Sequence, residues 1–423
     1  MLLKNKKILV GVTASIAIYK SLELIRLYIK AGAKVRVIMT PAAKKFITPL
    51  TFEAISQSKV LDDTNENWDK NQDYNHIDIG KWSDIFVIAP CSANTINKLS
   101  NGIADNLLLQ TALAYPRVKL LCPAANTMML KNPITQASVK MLKLCNFEIV
   151  ESVTKELVCK DVGDGAMAEA IDIFNASARE LLKVDYWVNR KVVLSGGGSV
   201  EKIDEVRYIS NFSSGKMASS MAKALYFKGA NVCLVSTRGY DDLPKGIHLI
   251  PVQSSEEMQG YLVDAIKVAK KGTLSKAPLM NDSRPELIQK RAFLFMVAAI
   301  SDYVPVFPQS GKMKKNMIGK TWNLELKENI DILSSLDKND LITIGFKAEM
   351  DKKTANSSAK SMMDKKSLDA VCLNVLENSS SFGSDDNDIE LILKENSYQF
   401  KGSKLDISLE ILTKLEKEFE NYE

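Results

Sequence analysis

Histidine is scarce in this chain, and His76 is one of only two. It opens the run His76–Asp84, which stands directly before Ile85–Ala89, an apolar segment that we predict to be a β-strand. An imidazole titrates near neutral pH and can carry a proton, which suits a histidine beside a strand to acid–base catalysis. A single such residue is more often a hydrogen-bonded structural histidine, so His76 is a catalytic candidate only together with other residues.

Two further runs offer groups that could act on a carboxylate substrate. Pro123–Met129 contains Asn126, whose amide can hydrogen-bond a carboxylate or an amide, and Met129, which offers an apolar wall. Cys159 opens the glycine-bearing run Cys159–Met167, and a thiol on a mobile flap could donate a proton when the flap closes. A turn asparagine, a packing methionine and an unreactive surface thiol are the alternatives that these residues alone leave open.

Hydroxyl groups follow the predicted strands at points where a phosphate could bind. Thr13 and Ser15 end one strand and open a helix, whose N-terminus attracts anions, although Ser15 could equally be its capping residue. Ser92 and Asn94 follow Ile85–Ala89, where they could contact a phosphate or a ring edge or only cap a helix. The first loop lacks a GxGxxG pattern, so a mononucleotide such as FMN fits better than a dinucleotide.

A second group of polar residues begins near Lys191. Ser195–Ser199 is glycine-rich and follows a predicted strand, so its backbone can approach a phosphate closely. Ser213–Gly215 enters a predicted helix, where an anion could bind. Asp302 could contact a nucleotide or a metal, and Lys312–Lys315 could neutralise a triphosphate. The alternatives are a capped helix and a solvated basic loop.

The composition argues against several classes of protein. With 423 residues, of which 46% are hydrophobic, the chain is too long for one ordinary core, and we predict two domains. The net charge of +5 suits phosphate-bearing small ligands, and the sequence shows no nucleic-acid-binding motif. No apolar run is long enough to span a bilayer. The six cysteines form no CxxC pair, which disfavours a zinc site and predicts a cytoplasmic protein.

Short β-branched segments alternate with helical patterns along the chain, which predicts an α/β fold. Lys7–Val12, a helix that ends near Lys30, and Lys34–Met39 form a βαβ unit, so the sheet is parallel. Ile85–Ala89 and Val118–Cys122 are further strands. Ligands of such sheets bind beyond the carboxyl ends of the strands. The loops at those ends begin at Thr13, Thr40, Pro90 and Pro123.

A domain boundary is predicted within Val184–Arg190, which gives domains of residues 1–189 and 190–423. The second domain repeats the α/β pattern without repeating the sequence, so we predict two Rossmann-like parallel-sheet domains. Lys267–Arg291 is polar, and we predict an irregular surface segment there. The predicted strands of the second domain are Lys191–Leu194, Asn231–Val235, Leu294–Ala299, Leu341–Phe346, Ala370–Leu373 and a hairpin of Ile389–Leu393 with Tyr398–Lys401.

The first half of the chain resembles the flavin-dependent cysteine decarboxylases in both the residues and the order of its motifs. The similar stretches are Gly11–Ala17, His76–Asp84, Pro123–Met129 and Cys159–Met167. The same half is similar to the N-terminal half of the bifunctional bacterial phosphopantothenoylcysteine decarboxylase/phosphopantothenate–cysteine ligases of coenzyme A biosynthesis. The resemblance implies a flavodoxin-like fold of the homo-oligomeric flavin-containing cysteine decarboxylase type.

The resemblance also implies a chemistry for this half, in which FMN oxidises the substrate thiol to a thioaldehyde whose C=S group accepts the electrons as CO₂ leaves. His76 would act in the oxidative and decarboxylating stage, and Cys159 would protonate the enethiolate that results. Asn126 would hold the substrate carboxylate or amide, with Met129 beside it. The predicted FMN-binding residues are Thr13, Ser15, Thr40, Ser92 and Asn94.

The second half resembles the CTP-dependent phosphopantothenate–cysteine ligase domain. The similar stretches are Asp204–Met217, Ala298–Tyr303, Lys312–Lys315 and Gly345–Glu349. In that family the substrate carboxylate attacks CTP and releases pyrophosphate, the amine of cysteine then displaces CMP, and Mg²⁺ neutralises phosphate charge.

Residue roles carry over by position. Lys312 and Asp302 would serve acyl-cytidylate formation, and Asn211 would serve the attack on that intermediate. The sequence does not indicate which residues would bind a metal. The predicted CTP-binding residues are Asp302, Lys312, Ile330, Asp331, Ile332, Leu333, Phe346 and Lys366.

The resemblance covers about Lys7–Phe419 in the domain order of the family. It implies small-molecule substrates (4′-phosphopantothenate, cysteine and CTP) and a homo-oligomer of trimeric decarboxylase units and dimeric ligase units. A flavoprotein without ligase activity and a non-catalytic flavin-binding regulatory protein are the alternatives. Departures from the family pattern are Ala125 for Met, Ala166 for Arg, Gly198–Ser199 for Pro–Thr, and Met362 for a lysine that contacts CTP.

Overall fold

The computed structural model describes residues 1–69, 75–156, 162–274, 285–314, 321–376 and 383–420. Two compact units divide the chain, with a boundary between Leu182 and Lys183. Within the described ranges, no helix combines the length and the apolar character that crossing a membrane requires. The assignment of one activity to residues 1–189 and another to residues 190–423 stays a prediction.

The first unit is built on a parallel sheet. Its strands are β1 Lys7–Val12, β2 Lys34–Met39, β3 Ile85–Cys91, β4 Lys119–Pro123, β5 Phe147–Ile149, β6 Val153–Glu156 and β7 Val162–Ala166. The order β2-β1-β3-β4-β5, with every neighbouring pair parallel, is that of flavodoxin-like folds and changes direction between β1 and β3. β6 and β7 pair separately as an antiparallel ladder. The predicted α/β fold of the first domain is confirmed.

Helices cover both faces of this sheet, and the strands are therefore nearly continuous apolar runs. All seven residues of β3 are buried, because a parallel sheet between two helical layers has no solvent face. In the N-terminal helix, Leu24 and Tyr28 recur at helical spacing on the buried side. The helices are α1 Ile18–Lys30, α2 Pro49–Ser56, α3 His76–Trp82, α4 Ala93–Ser100, α5 Leu107–Ala114, α6 Thr127–Lys131, α7 Pro133–Leu144 and α8 Ala170–Leu182.

The second unit contains a larger, mixed sheet. Its strands are β8 Lys191–Gly196, β9 Glu201–Lys202, β10 Tyr208–Ile209, β11 Asn231–Ser236, β12 His248–Pro251, β13 Thr273–Leu274, β14 Leu287–Ile288, β15 Ala292–Met296, β16 Tyr303–Pro305, β17 Leu326–Glu328, β18 Leu341–Glu349, β19 Ala370–Val375, β20 Asp386–Ile392 and β21 Ser397–Ser403. The sheet order is β12-β11-β8-β15-β18-β19-β20-β21. In this order, the first six strands are parallel to one another. β20 and β21 extend the sheet as the predicted antiparallel hairpin.

Apolar residues of this sheet and its helices form a core on each of its faces. Trp187 and Phe293 lie in one core, and Met258 and Leu294 lie in the other. The second Rossmann-like domain is thus also confirmed as an α/β unit. Its helices are α9 Lys216–Lys228, α10 Ser255–Ala269, α11 Ile332–Ser335, α12 Ala355–Lys365 and α13 Lys404–Phe419.

Several predicted strand ends differ from the structure, among them those of β3 and β15. β3 continues past Ala89 to Cys91, which pairs with Pro123 after a shift in register. β15 ends at Met296 rather than Ala299, because the Ser195 hydroxyl accepts hydrogen bonds from the amides of the next two residues, each at 3.0 Å. Those amides therefore leave the ladder, although the apolar sequence continues.

The prediction of an irregular segment over Lys267–Arg291 is wrong at both of its ends. Helix α10 continues to Ala269, because Ile266 and Ala269 are buried against the sheet. Thr273–Leu274 and Leu287–Ile288 pair as a short antiparallel ladder. Residues 275–284 of this predicted segment lie outside the described residues.

Gly11 in β1 provides a test of the packing around the first sheet. A Cβ at Gly11 would lie 2.9 Å from Phe86 Cε2 and 3.1 Å from Leu108 Cδ1, so Gly11→Ala overpacks the core. We expect a loss of about 1–3 kcal/mol of stability, seen as a lower calorimetric transition temperature. In the control Gly80→Ala, the nearest atom is Tyr115 Cδ2 at 3.7 Å in a helix, so we expect stability to be unchanged or higher. Equal effects of the two substitutions would contradict this account.

Candidate active sites

The first unit has a cavity of about 570 Å³ at the carboxyl ends of β1, β3 and β4. Its volume lies within the usual range for small-molecule and cofactor sites, roughly 300–1,000 Å³. The strand order of the sheet reverses between β1 and β3, and this reversal opens the crevice in which such sheets bind ligands. Five predicted residues line this cavity, namely Ser15, Ser92, Asn94, Asn126 and Met129.

Hydroxyl groups lie on two sides of this cavity, after β1 and after β3. Ser15 Oγ accepts a hydrogen bond from the Ala17 amide at 3.2 Å, and Ala17 rather than Ser15 is the N-cap of α1. The capping interpretation of Ser15 is therefore wrong. Ser92 does cap its helix, because its Oγ accepts from the Thr95 amide at 3.3 Å. Asn94 is exposed in the first turn of the same helix.

The loop after β4 supplies the third side. Asn126 is the N-cap of α6, and its Oδ1 accepts a hydrogen bond from the Met128 amide at 2.9 Å. This bond sets the orientation of the side-chain amide at the rim of the cavity. Met129 is half exposed beside it and offers an apolar surface.

Thr13 and Thr40, two predicted FMN-binding residues, are buried and are not among the residues that line the cavity. The Thr13 hydroxyl donates to Pro90 O at 2.8 Å and accepts from the Ser92 amide at 2.9 Å. It therefore holds the loop after β3 against the end of β1. Thr40 Oγ1 accepts from the Ala43 amide at 3.3 Å. Contact of either side chain with FMN stays a prediction.

His76 also does not line this cavity. It is the first residue of α3, directly after the N-cap Asn75, and its side chain is mostly buried. Cys159 lies outside the described residues, so the structure says nothing of the predicted flap thiol. Beyond that gap, Gly165–Met167 line the cavity. The structure therefore brings together five of the predicted binding residues, whereas Thr13, Thr40 and the predicted catalytic residue His76 do not line the cavity.

Lys20 is a residue of this cavity that the sequence analysis missed. It is almost fully buried, and its Nζ donates to Met167 O at 2.9 Å and lies 3.1 Å from Glu169 Oε1. The chain after β7 is thereby tied to α1. Lys20 precedes Leu24 by four residues on the buried side of α1, and a cation on that side was the available signal.

The second unit has a cavity of about 490 Å³ where β15 and β18 end. Its apolar lining includes Met362. The cavity collects all the predicted CTP-binding residues except Lys312. These lining residues are Asp302, Ile330, Asp331, Ile332, Leu333, Phe346 and Lys366.

An ion pair sits within this second cavity. Lys366 Nζ lies 2.8 Å from Asp331 Oδ2, and Asp331 also caps α11 by accepting from the Ser334 amide at 3.1 Å. Burial alone would raise the pKa of the Asp331 carboxyl, but the hydrogen bonds from Lys366 and Ser334 outweigh it and hold that pKa below its usual value. A carboxylate and an ammonium group therefore face the cavity at neutral pH.

Asn329 is a second residue that the sequence analysis missed. It lines the same cavity, and its Nδ2 donates to Ser301 O at 2.8 Å and lies 3.0 Å from Ser255 Oγ. These bonds position the loop that carries Ile330 and Asp331. Its place directly before the predicted stretch Ile330–Leu333 was the available signal.

A smaller cavity of about 160 Å³ adjoins the second one, and Ala298 and Phe346 line both. Its other side is Phe212–Gly215, which leads into α9 through Gly215 in the left-handed conformation at φ +72°. Asn211 is exposed just before this segment, and its Nδ2 donates to Ile300 O at 2.8 Å. Lys312 is exposed and lines neither cavity, so its predicted role stays untested.

Neither unit shows a metal centre in its described part. Among the described residues, no group of three or more His, Cys, Asp or Glu side chains could hold a metal ion. The five described cysteines, Cys91, Cys122, Cys145, Cys233 and Cys372, are free thiols.

Comparison with protein families agrees with the two units. Residues 2–182 match a family described as Flavoprotein. Residues 187–273 and 268–419 match the DNA/pantothenate metabolism flavoprotein C-terminal domain. The predicted flavoprotein character of the first half is thereby confirmed at the level of the family.

Two solved structures resemble parts of the chain. A PPC decarboxylase mutant complexed with pantothenoylaminoethenethiol is 30% identical, with 41% of this chain and 97% of that chain covered and a TM-score of 0.38. The C-terminal domain of a coenzyme A biosynthesis bifunctional protein is 21% identical, with 56% and 100% covered and a TM-score of 0.43.

Full-length relatives are more similar. The coenzyme A biosynthesis bifunctional protein CoaBC of Borreliella burgdorferi is 32% identical over 97% of this chain and 98% of its own. Those of Haemophilus influenzae and Bacillus subtilis are 34% and 33% identical, each over 98% of this chain and over 98% and 97% of their own. At this identity over nearly the whole length, the chain belongs to the family of bifunctional coenzyme A biosynthesis enzymes, which combine a decarboxylase with a ligase.

Proposed function

We propose that this enzyme converts 4′-phosphopantothenate, cysteine and CTP into 4′-phosphopantetheine in two steps. The second unit joins the acid to cysteine through an acyl-cytidylate, and the first unit removes the cysteine carboxyl group as CO₂. The observation that carries this proposal is the second cavity, which gathers seven of the eight residues predicted to bind CTP. Full-length relatives named as bifunctional coenzyme A enzymes support the catalytic interpretation over a regulatory one.

The first cavity fits a flavin mononucleotide. Ser15, Ser92 and Asn94 offer hydroxyl and amide groups for a phosphate or a ring edge, and Ala14 and Ala93 leave room beside them. Gly165 lies so close to the loop after β4 that a Cβ there would collide with Ala125 O, so the backbone itself forms that wall. When bound, FMN supplies the oxidation of the substrate thiol to a thioaldehyde, the group that accepts the electrons as CO₂ leaves.

The residues of the chain orient the substrate in this step. The Asn126 amide is positioned at the rim to hold the substrate carboxylate or amide, and Met129 excludes water on one side. His76 serves the oxidative and decarboxylating stage, and Cys159 returns a proton to the enethiolate. Both catalytic assignments rest on the family resemblance.

A trimer of first units explains why His76 does not line the cavity of its own chain. Tyr19, Met128 and Met129 are large apolar residues that are at least half exposed at or beside the cavity mouth. Exposed apolar groups around a ligand site are typical of a surface that a second copy covers. In the trimer, a neighbouring copy closes the cavity and brings its own His76 to the substrate.

The second cavity suits CTP. Ile330, Ile332 and Phe346 form apolar walls for a base, whereas Lys366 faces the phosphates. The acyl substrate occupies the adjoining smaller cavity, because Ala298 and Phe346 line both spaces. Its carboxylate oxygen attacks the α-phosphorus of CTP as the bond to pyrophosphate breaks. The cysteine amine then attacks the acyl carbon, and CMP leaves.

Mg²⁺ binds together with the nucleotide rather than as a resident metal. The described residues offer no cluster of three metal-binding side chains, so they do not fit a resident metal. Mg²⁺ commonly binds through one or two carboxylates together with substrate phosphates, and Asp302 and Asp331 line the cavity. A cytoplasmic location, which the scattered cysteines predict, is part of the same proposal.

The exposed loops of the second unit suit a dimer of ligase units. Tyr208, Phe212, Tyr303 and Phe307 are large apolar side chains, and each is more than half exposed. Asn211, which lies between the first two of these in sequence, would then act close to a dimer contact together with Lys312. Contact with a second copy would account for the predicted roles of these two residues, which line neither of the two cavities described above.

The whole proposal predicts a defined product. The purified enzyme should show a flavin band at about 450 nm. With 4′-phosphopantothenate, cysteine and CTP, it should release pyrophosphate and CO₂ in equal amounts and form 4′-phosphopantetheine, detected by mass spectrometry. If the enzyme released pyrophosphate but no CO₂, it would be a ligase without decarboxylase activity. If it released CO₂ from phosphopantothenoylcysteine but no pyrophosphate from CTP, it would be a decarboxylase without ligase activity.

Asn126 can be tested against a matched residue in the same unit. Asn126 and Asn132 both cap helices, α6 and α7, by accepting an amide hydrogen bond at 2.9 Å, but only Asn126 lines the cavity. We expect Asn126→Ala to lower kcat/KM for CO₂ release by about 100-fold, because the substrate loses its orienting partner. Asn132→Ala should cost only about 1 kcal/mol of stability. Equal kcat/KM in the two variants would remove Asn126 from the site.

Lys366 has a matched control in its neighbour. Lys366→Met removes the ammonium group from the CTP cavity, so we expect the Kd for CTP to rise about tenfold, or about 1.4 kcal/mol, by titration calorimetry. Lys365, the residue before Lys366, is exposed and does not line the cavity. Lys365→Met should therefore leave the Kd for CTP within about twofold. A Kd that responds equally to both changes would show that only net charge matters.

A further inference from the structure

Glu66 makes a close contact with the imidazole of His76. Glu66 Oε1 lies 2.8 Å from His76 Nδ1, and the same oxygen accepts a longer bond, at 3.4 Å, from the His76 backbone amide. Both side chains are mostly buried, with exposed fractions of 23% and 22%. One carboxylate oxygen therefore meets the ring and the backbone of the same residue.

The segment that carries Glu66 is fixed to the first sheet. Leu61 pairs with β2 through Ile38, and the Met39 amide donates to Leu61 O at 2.9 Å. Asn65 Nδ2 then donates to Val60 O at 2.7 Å, which ties the residue before Glu66 to that strand-like segment. The position of the carboxylate is thus set by hydrogen bonds that do not involve His76.

The histidine is fixed from its own side as well. Asn75 Oδ1 accepts from the amides of Ile77 and Asp78 at 3.0 and 2.8 Å, which places His76 at the first position of α3. The edge of its ring meets Trp68, with centroids 5.4 Å apart and planes at 83°. The imidazole therefore has an anchored backbone, an aromatic contact and a single carboxylate on one nitrogen.

We propose that Glu66 is a positioning residue that fixes the tautomer and the direction of the His76 ring. An ionised carboxylate can only accept hydrogen bonds, so Nδ1 must carry the proton that it donates to Glu66. In the neutral ring, Nε2 is then left with its lone pair and points away from Glu66. A carboxylate that orients a histidine in this way is a common device in catalytic and metal sites.

The role of Nε2 rests on the proposed decarboxylation. Oxidising a thiol to a thioaldehyde removes a proton from sulfur and a hydride from carbon. Bound FMN would take up the hydride, and the lone pair of Nε2 would take up the proton. Without Glu66, the ring would also populate the tautomer that has its proton on Nε2, which cannot accept that proton.

The tautomer can be measured directly, because the chain has only two histidines. We would label the full chain with ¹⁵N-histidine, record magic-angle-spinning NMR spectra, and assign His76 by its loss in His76→Asn. His248 is an internal control, since it lies in the other unit. We expect the Nδ1–H tautomer of His76 in the native chain, a mixture in Glu66→Ala, and the native tautomer in Glu66→Gln, whose carbonyl oxygen still accepts.

The rate of flavin reduction tests whether the tautomer of His76 matters for the reaction. Flavin reduction by phosphopantothenoylcysteine, followed by stopped-flow absorbance, should slow by about 10–100-fold in Glu66→Ala, with a smaller loss in Glu66→Gln. Provided that His76→Asn reduces the flavin slowly, either of two results would overturn the positioning role of Glu66. These are an unchanged His76 tautomer in Glu66→Ala, and equal losses of rate in Glu66→Ala and Glu66→Gln. Normal flavin reduction in His76→Asn would instead remove His76 from the proposed reaction and the positioning role with it.

Discussion

Buried hydroxyl groups between neighbouring strand ends are the interaction on which both candidate sites depend. In the first unit, Thr13 accepts the Ser92 amide. In the second unit, Ser195 accepts the amides of Val297 and Ala298, and Ser199 accepts that of Ser301 at 3.0 Å. Each hydroxyl satisfies amides that have left the β-ladder and would otherwise be buried without a partner. The neighbouring strand can therefore stop, and the chain can turn aside to leave a cavity at the sheet edge.

This arrangement explains how one chain combines two reactions. Each unit has its own parallel sheet, and parallel strands present all their carboxyl ends at one edge, where loops of different sequence meet. The first edge gathers hydroxyl and amide groups and the buried Lys20 with apolar walls. The second gathers carboxylates and a lysine around apolar walls, which suits a charged nucleotide. The predicted family and its two activities are confirmed by the relatives that match nearly the full length.

Much of the second site was predictable because the resemblance to the ligase domain carries over a stretch of residues that are adjacent in sequence. Ile330–Leu333 forms one loop and the first turn of α11, so a single motif placed four lining residues together. Asn126 and Met129 were predictable for the same reason, as parts of one strand-end loop. The missed Lys20 belongs to a helix that the sequence marks only as amphipathic. Its carbonyl partner, Met167, is 147 residues away, and no local pattern connects them.

Periodicity and turn residues in the sequence were enough to determine the α/β class, most strands and the strand-end loops, because these depend on neighbours along the chain. Tertiary structure alone decided which hydroxyls line the cavity. Thr13 and Ser15 are both hydroxyl residues of the same strand-end loop. The Thr13 hydroxyl is hydrogen-bonded between two strand ends, whereas Ser15 lines the cavity. It also decided that β15 ends at Met296 and that Glu66 meets His76. Those outcomes depend on hydrogen bonds between segments that only the folded chain brings together.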